Sequence, residues 1–87
     1  MRDIRLYRIY TEDKNRAEVQ KIASSRFEAF TLLEGNGFWR GVREACLILE
    51  FVTDDAKLVG EVAQLIKTTN EQEAVLVVSS EVDSQLI

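Results

Sequence analysis

Apolar and polar residues alternate along the chain in a pattern that predicts four strands and two helices. Segments rich in branched and aromatic residues are typical of strands, and apolar positions recurring every three or four residues are typical of amphipathic helices. The order strand, helix, strand, strand, helix, strand predicts an α+β ferredoxin-like βαββαβ sandwich, a four-stranded antiparallel sheet with two helices on one face. The predicted strands are Ile4 to Tyr10, Glu28 to Glu34, Val42 to Val52 and Ala74 to Val78.

The starts of both predicted helices carry residues that commonly cap helices. Asn15, with Glu18 three residues later, predicts a capping box at the first helix, which we expect to be short. Thr53 or Asp54 can cap the second helix. Each helix should bury one apolar face, formed by Val19, Ile22 and Ala23 in the first helix and by Val59, Val62, Ala63 and Ile66 in the second.

The length of the chain, 87 residues, suits one small domain. We expect residues 1–80 to form the ferredoxin-like domain and residues 81–87 to form a polar tail or a short extra strand. A core of this size has limited stability, so burial of a second surface by oligomerisation would add to it.

The sheet face that the helices leave uncovered is predicted to be apolar. Alternation along the strands places Leu33, Cys46, Ile48 and either Leu76 or Val77 on that face. Burial of three such side chains between subunits would contribute on the order of 5 kcal/mol before the costs of association. We therefore expect the chain to form a homo-oligomer through this open face of the sheet.

Charge and composition argue against several classes of function. The net charge is −4, whereas a surface that binds nucleic acid normally has an excess of lysine and arginine, so we expect no nucleic-acid partner. No segment has the roughly 20 apolar residues of a membrane helix, and no apolar leader follows Met1, so we expect a cytoplasmic protein with no membrane partner. Cys46 is the only cysteine, which excludes an intrachain disulfide. We predict no metal and no cofactor.

The segment from Glu34 to Gly41 differs from the rest of the chain. It holds three of the four glycines and the only tryptophan, and we interpret it as a loop between the second and third strands. Its tryptophan offers a stacking surface, and its arginine offers a fork for phosphate or carboxylate. The predicted ligand is a small planar anion such as a nucleotide, and the predicted ligand-binding residues are Trp39, Arg40, Arg43, Phe38, Glu44, Tyr10 and Arg8.

Other interpretations of the same residues stay open. Gly35-Asn36-Gly37 could simply form the hairpin turn, with the aromatic residues packed on a neighbouring subunit. The exposed Phe-Trp-Arg loop could instead anchor a protein, which would make the chain a protein–protein inhibitor or adaptor. No catalytic residue is assigned, and we expect a non-enzymatic protein. A small hydrolase or isomerase that uses Glu44 or Tyr10 is the third alternative.

Two resemblances bear on these predictions. The order of elements resembles the oligomeric PII-like proteins and the CutA-like trimers, in which ligands or partners are commonly met at subunit clefts. A second resemblance covers nearly the whole chain, and the segments that carry it are Arg8 to Glu12, Phe30 to Leu32, Gly37 to Gly41, Glu44 and Gln72 to Val77. In these segments the chain resembles short proteins of ferredoxin-like fold encoded by bacteriophages and prophages. That resemblance implies a viral setting, in which small oligomeric proteins sometimes sequester nucleotide immune signals or block host defence proteins.

Overall fold

The computed structural model describes residues 4–87 and has the predicted βαββαβ order. The four strands form one sheet in the order β2-β3-β1-β4, and every neighbouring pair is antiparallel. The prediction of a ferredoxin-like fold is therefore confirmed. The elements are β1 (Arg5–Glu12), α1 (Arg16–Ser24), β2 (Thr31–Trp39), β3 (Val42–Thr53), α2 (Ala56–Thr69) and β4 (Leu76–Glu81).

The hydrophobic core lies between the two helices and one face of the sheet. Ile9 of β1 and Leu47 and Leu49 of β3 are completely buried there because alternate residues of a strand share a face. Each fully buried aliphatic side chain contributes about 1.5–3 kcal/mol. The helices supply Val19, Ile22 and Ala23 from α1 and Val59, Val62, Ala63 and Ile66 from α2, which confirms the predicted face of the second helix.

The predicted ends of β1 and β4 were wrong by a few residues. β1 continues beyond Tyr10 through Thr11 to Glu12, because the Thr11 hydroxyl is buried and hydrogen-bonded to Gln72 rather than exposed in a polar break. β4 runs from Leu76 to Glu81, later than predicted. Residues 82–87 form neither helix nor strand.

The predicted start of the first helix at Asn15 is confirmed, but its side-chain capping box and the predicted capping residues of the second helix were wrong. Asn15 precedes α1 with a φ of 52°, and its side chain donates to Asn70 (3.1 Å) instead of capping the helix. At α2 the cap is Asp55, whose carboxylate accepts a hydrogen bond from the backbone N–H of Leu58 (2.9 Å). Thr53 accepts instead from the backbone N–H of Asp55, so it supports the cap from outside the helix.

The connection between β2 and β3 differs most from the prediction. Residues 35–37 lie inside β2, and the turn consists of Arg40 and Gly41, which both have positive φ (50° and 80°). Two positive φ values are the signature of the type I′ turn, whose twist matches that of a hairpin. The strand predicted over Glu28 to Glu34 and the loop predicted over Glu34 to Gly41 were therefore wrong, because pairing with β3 holds this glycine-rich stretch extended.

The end of this hairpin extends past the rest of the sheet. β1 pairs with β3 only as far as Cys46, so residues 37–44 pair with each other and with no other strand of residues 4–87. We call residues 37–44 the hairpin arm. It projects along the strand direction, from the end of the sheet at which β1 ends and β4 begins.

The face opposite the helices, which we call the open face, carries the predicted apolar residues. The register places Leu33, Cys46, Ile48 and Leu76 on it, together with Tyr10. Leu76, and not Val77, is the β4 residue on this face, because Val77 pairs with the buried Ile9. Neither α1 nor α2 has the length and apolar character needed to cross a bilayer.

Candidate functional site

The tip of the hairpin arm places an aromatic ring beside a positive charge. Trp39 is 63% exposed although it is the largest apolar side chain of the protein. The guanidinium carbon of Arg40 lies 5.4 Å from the centroid of its ring, which is cation–π distance. Trp39 lies across from Val42, and this pair shares the side of the sheet that continues into the open face. A planar group and an anion could be bound together at this tip.

The other side of the arm carries Phe38 and Arg43. These two residues pair across the strands and lie on the helix side of the sheet, because neighbouring residues of a strand alternate between its faces. Phe38 is 71% exposed. The Nε of Arg43 donates to the Oδ1 of Asn36 at 2.8 Å, which fixes the guanidinium along the arm. The four predicted binding residues of the tip are therefore divided between its two sides.

The remaining predicted site residues lie on the open-face side but away from the tip. Glu44 faces Gly37, within the arm. Tyr10 faces Ile48, which is six residues along β3 from Val42, a distance of about 20 Å at the usual strand rise. Arg8 lies two residues further away. Within one chain, Tyr10 and Arg8 do not join Trp39 and Arg40 in a single site.

Arg8 is paired with a carboxylate in the middle of the open face. Its Nε lies 2.7 Å from the Oε2 of Glu50, and both side chains are partly shielded from solvent. This hydrogen bond and the negative charge of Glu50 raise the pKa of Arg8 above its ordinary value. The guanidinium is therefore permanently charged and already occupied in the single chain.

Arg16 forms a second cluster that sequence reasoning missed. Its guanidinium bonds the carboxylate of Asp13 (Nη2–Oδ2 2.5 Å) and that of Glu34 (Nη1–Oε1 2.6 Å), which connects the start of α1 to β2. The hydrogen bonds from Asp13 and Glu34 raise the pKa of Arg16. The spacing of Asp13 and Arg16 is a local signal, whereas the contact with Glu34 depends on the fold.

Cys46 lies half-buried on the open face, opposite Gly35. Burial raises the pKa of its thiol, and the negative charge of Asp13 raises it further. The neutral thiol is poorly nucleophilic, so the environment suits a packing role. Within residues 4–87, no three cysteine or carboxylate side chains are grouped so that they could hold a metal ion.

A groove of about 300 Å³ lies between α2 and β4, at the sheet edge farthest from β2. Small residues line much of it, and sequence reasoning did not find it because its two sides come from different elements. The lining also holds one positive and one negative side chain, and it consists of Gly60, Ala63, Gln64, Lys67, Glu73, Ala74, Val75 and Val77.

Comparison with known proteins identifies the fold and no closer relationship. No protein-family model and no curated protein matches the sequence. Among solved structures, CutA from Synechococcus elongatus PCC7942 complexed with a Bis-Tris molecule is similar with a TM-score of 0.67 and 14% identity, over 93% of this chain and 81% of that one. The chain has the fold of CutA.

Two further structures give the same result. Another structure of CutA from Synechococcus elongatus PCC7942 has a TM-score of 0.54 and 18% identity, over 93% of this chain and 80% of that one. The de novo designed protein Foldit4 has a TM-score of 0.52 and 11% identity, over 92% of this chain and 97% of that one. The CutA-like part of the resemblance is thus confirmed at the level of the fold. The resemblance to phage proteins gains no support from these matches and stays a prediction.

Proposed function

We propose that this protein is a non-enzymatic homo-oligomer that binds a small anionic, nucleotide-like ligand at the tip of the hairpin arm. The observation that carries the proposal is the exposed ring of Trp39 with the Arg40 guanidinium 5.4 Å from its centroid. A free arm that ends in a stacking surface and a permanent positive charge suits a planar anion better than a neutral aliphatic molecule.

The apolar open face supports the oligomer. Leu33 and Leu76 are 41% and 59% exposed, and Ile48 lies between them in the register. A face of this kind on a small domain is typical of a protein interface. The Arg8–Glu50 pair is formed within each copy, so neither of its charges would enter an interface on this face unpaired. A second copy of the chain is therefore the occupant that the face suits best.

The chemistry of the tip supports the class of ligand. Stacking of a nucleobase on an aromatic side chain contributes about 1–3 kcal/mol, and an arginine fork adds charge-assisted hydrogen bonds to phosphate oxygens. A CutA protein with this fold was solved in complex with Bis-Tris, which supports the binding of small molecules as one use of the fold. Phe38 and Arg43 lie on the other side of the arm, so a ligand that touches them must reach around the tip or come from a neighbouring copy.

The enzymatic alternative finds less support in the geometry. Glu44 and Tyr10 lie on the same side of the sheet, but Glu44 is four residues along β3 from Ile48, the partner of Tyr10, which is a separation of about 14 Å. A general acid and base acting on one small substrate must both reach it within hydrogen-bonding distance. These two residues do not meet that condition within one chain.

A second candidate function is favoured by the number of exposed apolar residues on the arm. Phe38, Trp39 and Val42 are all more than 60% exposed, and they lie on both sides of the arm. Exposed aromatic and arginine side chains are typical anchors of protein interfaces. Under this alternative the chain is an inhibitor or adaptor that inserts its arm into another protein.

The fluorescence of Trp39 tests the ligand directly, because it is the only tryptophan of the chain. We expect adenine or guanine nucleotides to quench it at micromolar to millimolar concentrations. Arg40→Ala should weaken binding about 10-fold or more, because a charge-assisted hydrogen bond is lost. Arg26→Ala, at an exposed arginine after α1, is the matched control and should bind like the wild type.

Two outcomes of this titration would contradict the ligand proposal. One is the absence of quenching by any of the nucleotides at millimolar concentration. The other is an equal affinity in Arg40→Ala and wild type. Trp39→Ala, examined by native mass spectrometry, should keep the wild-type assembly, and its dissociation would assign Trp39 to the subunit interface instead.

A further inference from the structure

The groove between α2 and β4 carries one positive and one negative side chain that are not paired with each other. Lys67, half-buried in the last turn of α2, and the exposed Glu73 both line it. Neither side chain takes part in an ion pair or a hydrogen bond within residues 4–87, whereas Arg8 and Arg16 are both paired with carboxylates. The two charges of the groove are therefore available to a bound molecule.

The fold places these two charges at the same end of the groove. The backbone N–H of Gln72 donates to the carbonyl of Lys67 at 3.0 Å, so the chain reverses at the end of α2 and Glu73 follows directly. Gly60 lies seven residues before Lys67, which is about 10 Å along a helix. Val77 lies four residues after Glu73 along the returning chain. The groove is thus charged at one end and apolar at the other.

The apolar end has room for the side chain of a ligand. Gly60 and Ala63 line it from α2, and Val75 and Val77 line it from the other side. A Cβ added to Gly60 would have no atom within 4 Å. The volume of the groove is about 300 Å³, which is at the lower end of the range for small-molecule sites, and a cavity of about 150 Å³ already holds benzene. A branched aliphatic group together with two small charged groups fits this space.

Charge complementarity selects a zwitterion as the ligand. A simple anion bound at Lys67 would be repelled by Glu73, and a simple cation bound at Glu73 would be repelled by Lys67. A molecule that carries a carboxylate and an ammonium group on one carbon atom satisfies both side chains with charge-assisted hydrogen bonds. Gln64 adds an acceptor for the ammonium group, because its Nε2 donates to Thr68 (3.2 Å) and leaves the amide oxygen free.

We propose that the α2–β4 groove binds a free apolar α-amino acid, with its carboxylate on Lys67, its ammonium group on Glu73 and its side chain between Ala63 and Val77. The groove lies at the sheet edge farthest from β2, so this site is separate from the one proposed at the tip of the hairpin arm. All of its binding groups come from one chain, so it does not depend on the oligomer.

Leucine and two of its analogues test the site. Isocaproate is leucine without the ammonium group, and isoamylamine is leucine without the carboxylate. We expect millimolar leucine to shift the backbone amide NMR signals of Gly60, Val75 and Val77 and to leave the indole signal of Trp39 in place. Each analogue should bind about 10-fold more weakly or worse, because one charged side chain of the groove then stays unpaired.

Two neutral substitutions assign the charges. In Lys67→Gln, leucine should bind no better than isoamylamine, because its carboxylate has lost its partner. In Glu73→Gln, leucine should bind no better than isocaproate, because its ammonium group has lost its partner. Lys57→Gln and Glu61→Gln, at exposed positions of α2 outside the groove, are the matched controls and should bind leucine like the wild type.

Gly60→Leu tests the groove itself. Leucine has a higher helix propensity than glycine, and the space beside Gly60 is open, so the variant should fold at least as stably as the wild type. Its new side chain would occupy the apolar end of the groove. We therefore expect the shifts caused by free leucine to disappear, while thermal unfolding followed by circular dichroism shows an intact fold.

Four results would overturn the proposal. They are the absence of groove shifts with millimolar leucine, equal affinity of the wild type for leucine and both analogues, and unchanged leucine binding in a folded Gly60→Leu. The fourth is a set of groove signals that shift on dilution of the protein but not with leucine, which would show that a second copy of the chain occupies the groove. None of these results bears on nucleotide binding at Trp39, which its fluorescence tests separately.

Discussion

Two buried amide side chains connect the end of α2 to the first strand and helix. The Oε1 of Gln72 accepts from the backbone N–H of Glu12 (2.9 Å), and its Nε2 donates to the Thr11 hydroxyl (2.6 Å). Asn70 donates to the backbone carbonyl of Lys14 (3.0 Å) and accepts from Asn15. Paired polar groups of this kind fix the geometry of a small core, because each of them would be costly if it were buried alone.

Replacement of Gln72 by leucine tests the importance of this connection. Gln72→Leu leaves the Thr11 hydroxyl and the Glu12 N–H without their partner, so we expect the free energy of unfolding to fall by about 2–4 kcal/mol. Urea unfolding at a fixed protein concentration measures this change. The control is Gln20→Leu on the exposed side of α1, which should change stability by less than about 0.5 kcal/mol. Equal effects of the two substitutions would show that the buried amide contributes little.

These residues also mark the limit of sequence reasoning at the residue scale. Asn15 has the local pattern of a helix cap, yet its side chain bonds Asn70, which is 55 residues further along the chain. The partners of Gln72 are separated from it by 60 and 61 residues. Local patterns report what a side chain can do with its neighbours, whereas long-range partners depend on the completed fold.

The two helices and the hairpin differ in how well their sequences predict them. The apolar face of α2 was predicted because the period of Val59, Val62 and Ile66 is a local property. The hairpin was mistaken because its glycines are typical of loops, and the residue that enters the left-handed region at the turn is an arginine. Cross-strand pairing with β3 decides the conformation of Gly35 and Gly37, and that pairing is not local.

The type I′ turn allows the structural role of Arg40 to be separated from its proposed binding role. Asparagine adopts positive φ more readily than arginine, so Arg40→Asn should keep or raise the stability of the fold while weakening nucleotide binding. Gly41→Ala should instead lower the free energy of unfolding by about 1–2 kcal/mol, because φ is 80° there. Thermal unfolding and quenching of Trp39 measure the two effects. A large loss of stability in Arg40→Asn would contradict the assigned turn.

At the scale of the whole molecule, the order of elements was sufficient to predict the fold and the apolar open face. The candidate site was predicted less well. Its residues were chosen from composition, and the sheet divides them between two sides of the arm and the middle of the open face. Self-assembly would bring distant surfaces together, but the sequence of one chain carries no direct record of the relative position of two copies.

Native mass spectrometry of the wild type and of Ile48→Lys tests the central claim, that the open face is covered by other copies of the chain. Ile48 lies between Leu33 and Tyr10 on that face, so a lysine there places an unpaired charge in the proposed interface. We expect a single closed oligomer for the wild type at micromolar concentration and a folded monomer for Ile48→Lys. A wild-type protein with the mass of one chain under the same conditions would contradict it.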